Sequence, residues 1–541
     1  MGALNSRRMI MMIDDDEDSS SRIEDTSDEL GTDSDSESNT NNFVEMLHNL
    51  ISRRSSGQLL LQGGDAEYLP TRPMPKIKYQ LDTSLLDKSE FSLLTKQACA
   101  LVDSKGSLST GTNVAAMIAK RQSGLFSHGS FSSGSMCNIR NQYLPNEMVW
   151  VLEGSTGKVF CGIFTKDGNS FLTASQDRYI RLYNSENTSY KMYKRIRARD
   201  VGWSIIDVAF SPDSESFVYS TWSSSLHICP TYGSSENQDP VQLSNTSRRF
   251  CVFSVVFSSD SRELLCGAND GCLYVYDRVR NARKLKITAH EYDVNRVLFA
   301  DNSSQIIYSG GDDGLVKVWD RRTMDESRNV KPVGVLAGHM DGITYIDSRG
   351  DGRHLISNSK DQSIKLWDVR RFSDDKAAKE TLKAAHSQTW DYRWQGVPKE
   401  LYADNKLSGD TSIMTYRGHV VVKTLVRCRF SPKETTGQRY IYTGCGSGRI
   451  VIYDALTGKI IKHKKNHMAC VRDVSWHPTR NEILSSSWDG IVGKWEYFRP
   501  NSSDDDQAEN KKLLKRRAVR RSPRLAARRR RREESRSTSD N

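Results

Sequence analysis

The sequence lacks the features that would mark a secreted, membrane-embedded or metal-binding protein. It has ten cysteines, but no two are arranged as C-x-x-C and none has the spacing of zinc ligands. It also has no signal peptide and no apolar span of about 20 residues. Unpaired thiols are typical of a reducing compartment. We therefore expect buried free cysteines and no membrane association, metal or cofactor.

Common catalytic motifs are missing as well. The sequence contains no G-x-x-x-x-G-K-[ST] loop, no G-x-S-x-G elbow and no H-E-x-x-H helix. The carboxylates at 14–18 and at Asp312-Asp313 do not have the spacing of a calcium loop. The sequence therefore predicts no catalytic residue and a protein that is not an enzyme.

What the chain does contain is an uneven distribution of charge. Of a net charge of +11, the segment 511–532 contributes 13 Lys and Arg without an acidic residue, and the segment 14–37 carries 12 Asp and Glu with one Arg. The basic character therefore belongs to a tail and not to the body of the protein. Low apolar content predicts a disordered acidic region over 1–42.

One sequence pattern recurs through the last two-thirds of the chain. A short apolar run leads to a small-residue turn, an Asp, and a β-branched run that ends in Trp or Tyr, most clearly at 309–320 and 357–368. This is the pattern of WD repeats, which form the four-stranded blades of an all-β propeller. The repeat units end near Tyr183, Ile228, Tyr276, Trp319, Trp367, Tyr416, Tyr453 and Trp495.

The number of blades has two interpretations. Eight units over about 350 residues give about 44 residues each, which is within the usual range for this repeat and favours eight blades. The unit from His386 to Tyr416 has short strand signals and a loop-like stretch at 393–407. Seven blades with an insertion is therefore the alternative.

The domain boundaries follow from composition and periodicity. We expect an acidic tail at 1–42, a partly helical docking region at 43–145, a propeller at 146–499, and a linker with a basic tail at 500–541. Candidate helices lie at 43–51 and at about 84–102, and each could serve either to dock a partner or to pack on the propeller rim.

Three repeats carry a complete His, Ser, Asp and Trp set. Although a His–Ser–Asp set suggests a hydrolase triad, a set that recurs at one position in each repeat indicates a structural hydrogen-bond chain inside a blade. The predicted tetrads are His290, Ser309, Asp313 and Trp319; His339, Ser357, Asp361 and Trp367; and His467, Ser485, Asp489 and Trp495.

Two consecutive repeats end in W-D-x-R. Each Arg follows its Trp by three residues, so the two guanidinium groups should emerge on one rim of adjacent blades, where they could bind carboxylates or carbonyls of a partner. A local surface Asp–Arg pair is the simpler alternative. The predicted adaptor-binding residues are Trp319, Asp320, Arg322, Trp367, Asp368 and Arg370.

These paired boxes resemble the signature of substrate receptors that bring targets to cullin-4 ubiquitin ligases through DNA damage-binding protein 1. The stretches 198–204, 267–275, 414–419 and 470–478 resemble the family of WD repeat-containing protein 23, or cullin-4-associated factor 11, and its plant counterpart. The resemblance covers about residues 125–497. It implies a non-catalytic receptor whose target proteins, such as stress-response transcription factors, are ubiquitinated and degraded.

The basic tail lies outside this resemblance. Its cationic clusters predict nuclear targeting, with some protein also in the cytoplasm, and contact with nucleic acid is the alternative. A nuclear scaffold in chromatin or RNA processing therefore remains the competing function. The predicted targeting residues are Lys511, Lys512, Lys515, Arg516, Arg517, Arg528, Arg529, Arg530, Arg531 and Arg532.

Overall fold

The computed structural model describes residues 81–102, 114–124, 131–152, 155–244, 250–326, 330–403 and 406–499. The predicted acidic tail, the candidate helix at 43–51 and the basic tail lie outside the described residues. The domain boundaries proposed at 42/43 and 499/500 therefore remain predictions.

The described residues form 28 strands, β1–β28, in seven four-stranded antiparallel sheets. Runs of β-branched and aromatic residues favour these strands, and tight turns separate them. Blade 1 is β2–β5 (Val159–Phe164, Ser170–Ser175, Tyr179–Asn184, Lys191–Arg197), blade 2 is β6–β9 (Ile205–Phe210, Ser216–Thr221, Ser225–Pro230, Asp239–Gln242), and blade 3 is β10–β13 (Val252–Phe257, Glu263–Ala268, Cys272–Asp277, Ala282–Thr288).

The remaining four blades continue in chain order. Blade 4 is β14–β17 (Val294–Phe299, Ile306–Gly311, Val316–Asp320, Gly334–Leu336), and blade 5 is β18–β21 (Ile343–Ser348, His354–Ser359, Ser363–Asp368, Met414–Arg417). Blade 6 is β22–β25 (Cys428–Phe430, Tyr440–Gly444, Arg449–Asp454, Ile460–Lys465), and blade 7 is β26–β28 (Val471–Trp476, Ile483–Ser487, Val492–Glu496) together with β1 (Glu147–Leu152).

The ring closes through blade 7, which takes its strands from two distant parts of the chain. Strand β1 pairs antiparallel with β28 and places Met148 opposite Trp495. The first strands of neighbouring blades contact one another around the ring, so they surround the central channel. Closure pairs or covers strand edges that an open sheet would expose.

The apolar core lies between the blades. Leu298 and Tyr308 of blade 4 pack in one cluster with Ile346, Leu355 and Trp367 of blade 5. Strands β3, β11, β19 and β20 are buried along their whole length because each has a blade on either face. All ten cysteines are buried and free, as the sequence predicted.

The preference for eight blades was wrong, and the alternative of seven blades with an insertion describes the structure. Tyr416 does not end a separate unit, because it lies on β21, the fourth strand of blade 5, where it pairs with Ile364. The insertion lies between β20 and β21, at 369–413. It contains a helix, Asp375–Ser387, and a 3₁₀ turn, Lys399–Tyr402. Among the described residues of the supposed eighth unit, 386–416, β21 is the only strand, which explains the weak strand signals there.

Short helices lie outside the sheets. The single helix expected at about 84–102 is divided, because Ser89 accepts a hydrogen bond from the Ser92 amide and so begins a second helix. In chain order the helices are α1 (Ser84–Asp87), α2 (Glu90–Ala98), α3 (Val114–Gln122), α4 (Ser133–Arg140), α5 (Asp375–Ser387) and α6 (Lys433–Thr436), with 3₁₀ turns at Arg321–Thr323 and Lys399–Tyr402. None of the helices in the described ranges is long and apolar enough to span a membrane.

Candidate partner-binding rim

The three predicted tetrads are hydrogen-bond chains in blades 4, 5 and 7. In blade 4, the Trp319 indole N–H donates to Ser309 Oγ at 2.9 Å, His290 Nε2 lies 2.8 Å from the same oxygen, and His290 Nδ1 lies 2.9 Å from Asp313. The set of Trp367, Ser357, His339 and Asp361 repeats this geometry at 2.7–2.9 Å, and the set of Trp495, Ser485, His467 and Asp489 repeats it at 2.7–3.0 Å.

The electrostatics of the tetrads suit a structural role. Burial favours the neutral form of Asp313, but His290 and Lys317 outweigh it and lower the pKa of Asp313 to about 2. His339 likewise holds the pKa of Asp361 below its usual value. Ser309 is fully buried, so its hydroxyl cannot reach a substrate. The tetrads therefore satisfy polar groups between the strands of a blade.

The first W-D-x-R box ends at the rim where the third strands of the blades end. There the Arg322 side chain is 69% exposed. It makes a bidentate pair with Asp320 of its own box, with Nε–Oδ1 at 2.9 Å and Nη2–Oδ2 at 2.6 Å. These hydrogen bonds lower the pKa of Asp320. The first box therefore forms the local surface Asp–Arg pair, which was the simpler alternative. This pair holds the Arg322 guanidinium in one orientation at the surface.

The second box reaches the same rim on blade 5 but has different partners. Asp368 accepts two hydrogen bonds from Arg353, which precedes β19, at 3.0 and 2.7 Å. The Arg370 side chain is 67% exposed and lies 3.6 Å from Glu90 on helix α2. Glu90 also contacts Arg353, which lowers the pKa of Glu90. The second box is therefore connected to a segment far away in the sequence.

We call the surface formed by Asp320, Arg322, Asp368 and Arg370 the box rim. Trp319 and Trp367 were predicted as adaptor-binding residues, but both indoles are buried and serve in the tetrads. The two indoles cannot contact a partner directly. They can contribute to binding only by fixing the position of the Asp and Arg that follow them in each box.

Helix α2 packs beside the box rim through one aromatic side chain. Phe91 is fully buried, with its ring 5.4 Å from His354 of blade 5 and 6.2 Å from Phe430 of blade 6. The Arg349 guanidinium lies 4.7 Å from the centre of the Phe91 ring. The helix thus packs on the rim, one of the two roles that the sequence allowed.

Helices α1 and α2 also have an exposed apolar side. Leu85 on α1, and Leu93 and Leu94 on α2, remain about 40% exposed. The rim therefore combines two exposed guanidinium groups with neighbouring leucines.

Sequence patterns missed Arg353 and Glu90 as members of this site, because their contacts join segments about 260 residues apart.

Comparison with known sequences defines the class of protein. The family model described as WD domain, G-beta repeat matches residues 146–184, 242–277, 282–320, 330–368 and 458–496. These matches agree with the seven-bladed structure, so the protein is a WD-repeat β-propeller.

Individual relatives define the family within this class. A Caenorhabditis elegans protein named DDB1- and CUL4-associated factor 11 homolog is 44% identical over 377 residues, which are 67% of this chain and 65% of the relative. The Caenorhabditis briggsae homolog is 40% identical over 68% of each chain. The LEC14B protein of Lithospermum erythrorhizon is 42% identical over 70% of this chain and 81% of its own. The chain belongs to the DDB1- and CUL4-associated factor 11 family.

Proposed function

We propose that the protein is a substrate-recognition subunit of a cullin-4 ubiquitin ligase and that it binds target proteins to the adaptor DNA damage-binding protein 1. The observation that carries this proposal is the box rim, where adjacent blades present one exposed Arg each in the same sequence context. The names of the nematode relatives, which refer to DDB1 and CUL4, support the same assignment.

The geometry of the rim suits a protein partner. Arg322 and Arg370 can donate several hydrogen bonds in a planar fork to carboxylates or carbonyls. In each box a buried Trp anchors the end of the third strand, and in the first box Asp320 also orients the exposed Arg. The exposed leucines of α1 and α2 add an apolar area beside the charges, the combination of anchors and polar contacts expected at an interface.

In this proposal the protein positions its targets and does not carry out chemistry itself. The buried tetrads support a non-catalytic role, because the repeated His, Ser and Asp residues are all committed to hydrogen bonds within blades. Stress-response transcription factors are proposed targets on the basis of the family resemblance.

The test is adaptor binding by the double variant Arg322→Ala with Arg370→Ala. We expect a loss of about 2–5 kcal/mol in binding free energy, because charge-assisted hydrogen bonds at an interface are removed. Arg197→Ala is the matched control, since this exposed Arg lies on β5 of blade 1. Pull-down with purified adaptor should fail for the double variant only. Retention of adaptor by a folded double variant would refute the assignment.

We also propose that the basic tail directs the protein to the nucleus, in keeping with its 13 Lys and Arg between 511 and 532. Deletion of 511–541 should shift a fluorescent fusion toward the cytoplasm and leave adaptor binding unchanged. If the truncated protein stays nuclear but loses salt-sensitive retention on chromatin, the tail is a nucleic-acid contact. The nuclear scaffold would then be the better function.

A further inference from the structure

A small cavity lies in the central channel, near the starts of the first strands and so toward the end opposite the box rim. Its volume is about 10 Å³, room for about one water-sized particle. Three arginines from three blades and one aspartate line it, together with uncharged side chains such as Asn295 and Tyr345. The arginines are Arg296, Arg427 and Arg472, and the aspartate is Asp207.

The carboxylates at this cavity are already engaged. Asp207 accepts hydrogen bonds from Arg427 at 2.6 Å and from Arg296 at 3.4 Å. Asp473, beside the cavity, accepts from Arg427 at 3.1 Å and from Arg429 at 2.6 Å. Each of the two carboxylates also accepts backbone N–H groups. These acids therefore have little capacity left for another cation.

Arg472 is the cavity arginine that makes no direct pair with a carboxylate in this network. It is buried, and its guanidinium donates to the carbonyls of Phe160 at 2.6 Å and Ile206 at 3.1 Å. Within the described part of the chain, no carboxylate lies within 4.0 Å of it, and its Nε has no hydrogen-bond partner. Burial and the neighbouring Arg427 lower the pKa of Arg472.

Arg296 has a similar unmet donor on the other side of the cavity. Its guanidinium lies 4.3 Å from the centre of the Tyr345 ring, and its Nε has no partner among the described residues. Arg296 still has Asp207 as a counter-charge, but a buried cation without a direct carboxylate partner, as Arg472 is, is costly. An anion that accepts the free donors of Arg472 and Arg296 would remove much of that cost. Burial also strengthens such an interaction relative to water.

We propose that the cavity between Arg296, Arg427 and Arg472 binds one small monovalent anion. A halide ion, as a single atom, comes nearest to the volume of the cavity, whereas a carboxylate such as formate has the same charge but three heavy atoms and exceeds it. The bound anion would link the first strands of blades 4 and 7 with the residue that precedes the first strand of blade 6. It would therefore join three blades across the central channel.

The first test measures the Tm of the full chain at constant ionic strength while sodium gluconate is replaced by sodium chloride. Gluconate is too large for the cavity, so only chloride should bind. We expect a Tm increase on the order of 2 °C that saturates with chloride concentration, because a ligand of the folded state alone stabilises it by mass action. Equal Tm values in the two salts would refute a halide site.

Variants connect this effect to the cavity. Arg472→Met should abolish the chloride-dependent Tm increase, whereas Arg278→Met should keep it, since Arg278 is half-buried beside Phe257 on blade 3 and does not line the cavity. The same chloride response in both variants would place the ion elsewhere and contradict the proposal.

Diffraction from the unmodified protein decides the question if Arg472→Met does not fold. Crystals soaked in sodium bromide should show an anomalous peak among the three arginines. A parallel titration with sodium formate tests whether the site is limited to single-atom anions. A bromide peak among the three arginines supports the halide site, and a formate-dependent Tm increase without a bromide peak would contradict it. Water alone, with neither response, would overturn the proposal.

Discussion

The two W-D-x-R boxes share a sequence pattern but differ in their partners. In the first box, Asp320 pairs with Arg322 of the same box, and both lie at the surface. In the second, Asp368 pairs with Arg353, and Arg370 is left to the more distant Glu90 of helix α2. Because Arg353 pairs with Asp368, Arg370 does not make the local Asp–Arg pair that holds Arg322. The motif alone therefore does not determine which box Arg is more available to bind a partner.

Each box contains a buried Trp, and removing its indole should give the largest loss of folding stability. We expect Trp367→Ala to lower the free energy of unfolding by about 3–5 kcal/mol, as for other buried aromatic truncations, and Trp319→Ala should do the same. Both variants also leave a Ser–His–Asp chain without its indole donor. Urea denaturation measures the loss.

Trp394→Ala provides the control for these variants, because the Trp394 side chain is 75% exposed. Its unfolding midpoint should match that of the unmodified protein. A loss in Trp394→Ala equal to that in Trp367→Ala would mean that the tetrads contribute little beyond general packing.

Replacing the Asp of each box should affect folding stability differently in the two boxes. We expect Asp368→Asn to cost about 1.5–3 kcal/mol of folding stability, because it removes a charged partner from the largely buried pair with Arg353. Asp320→Asn should leave the unfolding midpoint nearly unchanged, since its pair with Arg322 is at the surface. Equal losses in the two variants would show that the boxes are energetically equivalent.

The smallest effect, a change in adaptor affinity, should come from replacing Glu90, which lies near the Arg of the second box only. Glu90→Gln should leave folding unchanged, because Phe91 anchors the helix. It should strengthen adaptor binding no more than about threefold, since it removes only an exposed competing carboxylate near Arg370. Calorimetric titration with adaptor measures this, and a tenfold weakening would show that Glu90 itself contacts the adaptor.

Sequence patterns predicted the parts of the protein that repeat. The tetrads recur in three repeats and the boxes in two consecutive repeats, so one copy supports the interpretation of the next. The blade count was harder, because the insertion containing α5 separates β20 from its partner β21 and leaves Tyr416 in a context that resembles the end of a third strand.

Features that occur once were not predictable in this way. The pair of Arg353 with Asp368 depends on how the turn before β19 meets the end of β20, and the contact with Glu90 joins segments far apart in the chain. The channel arginines come from three different repeats and share no motif. Their proximity follows only from the closed ring.

Ring closure through β1 and β28 also has a consequence for biosynthesis. The strands that pair in blade 7 are separated by about 340 residues of chain, from Leu152 to Val492, and bringing such distant segments together is slow relative to forming local hairpins. During translation, β1 remains unpaired and the apolar face of blade 1 at β2 remains uncovered until blade 7 has been synthesised. A newly made chain therefore exposes an unpaired strand and an apolar surface, which favour chaperone binding and aggregation until the ring closes.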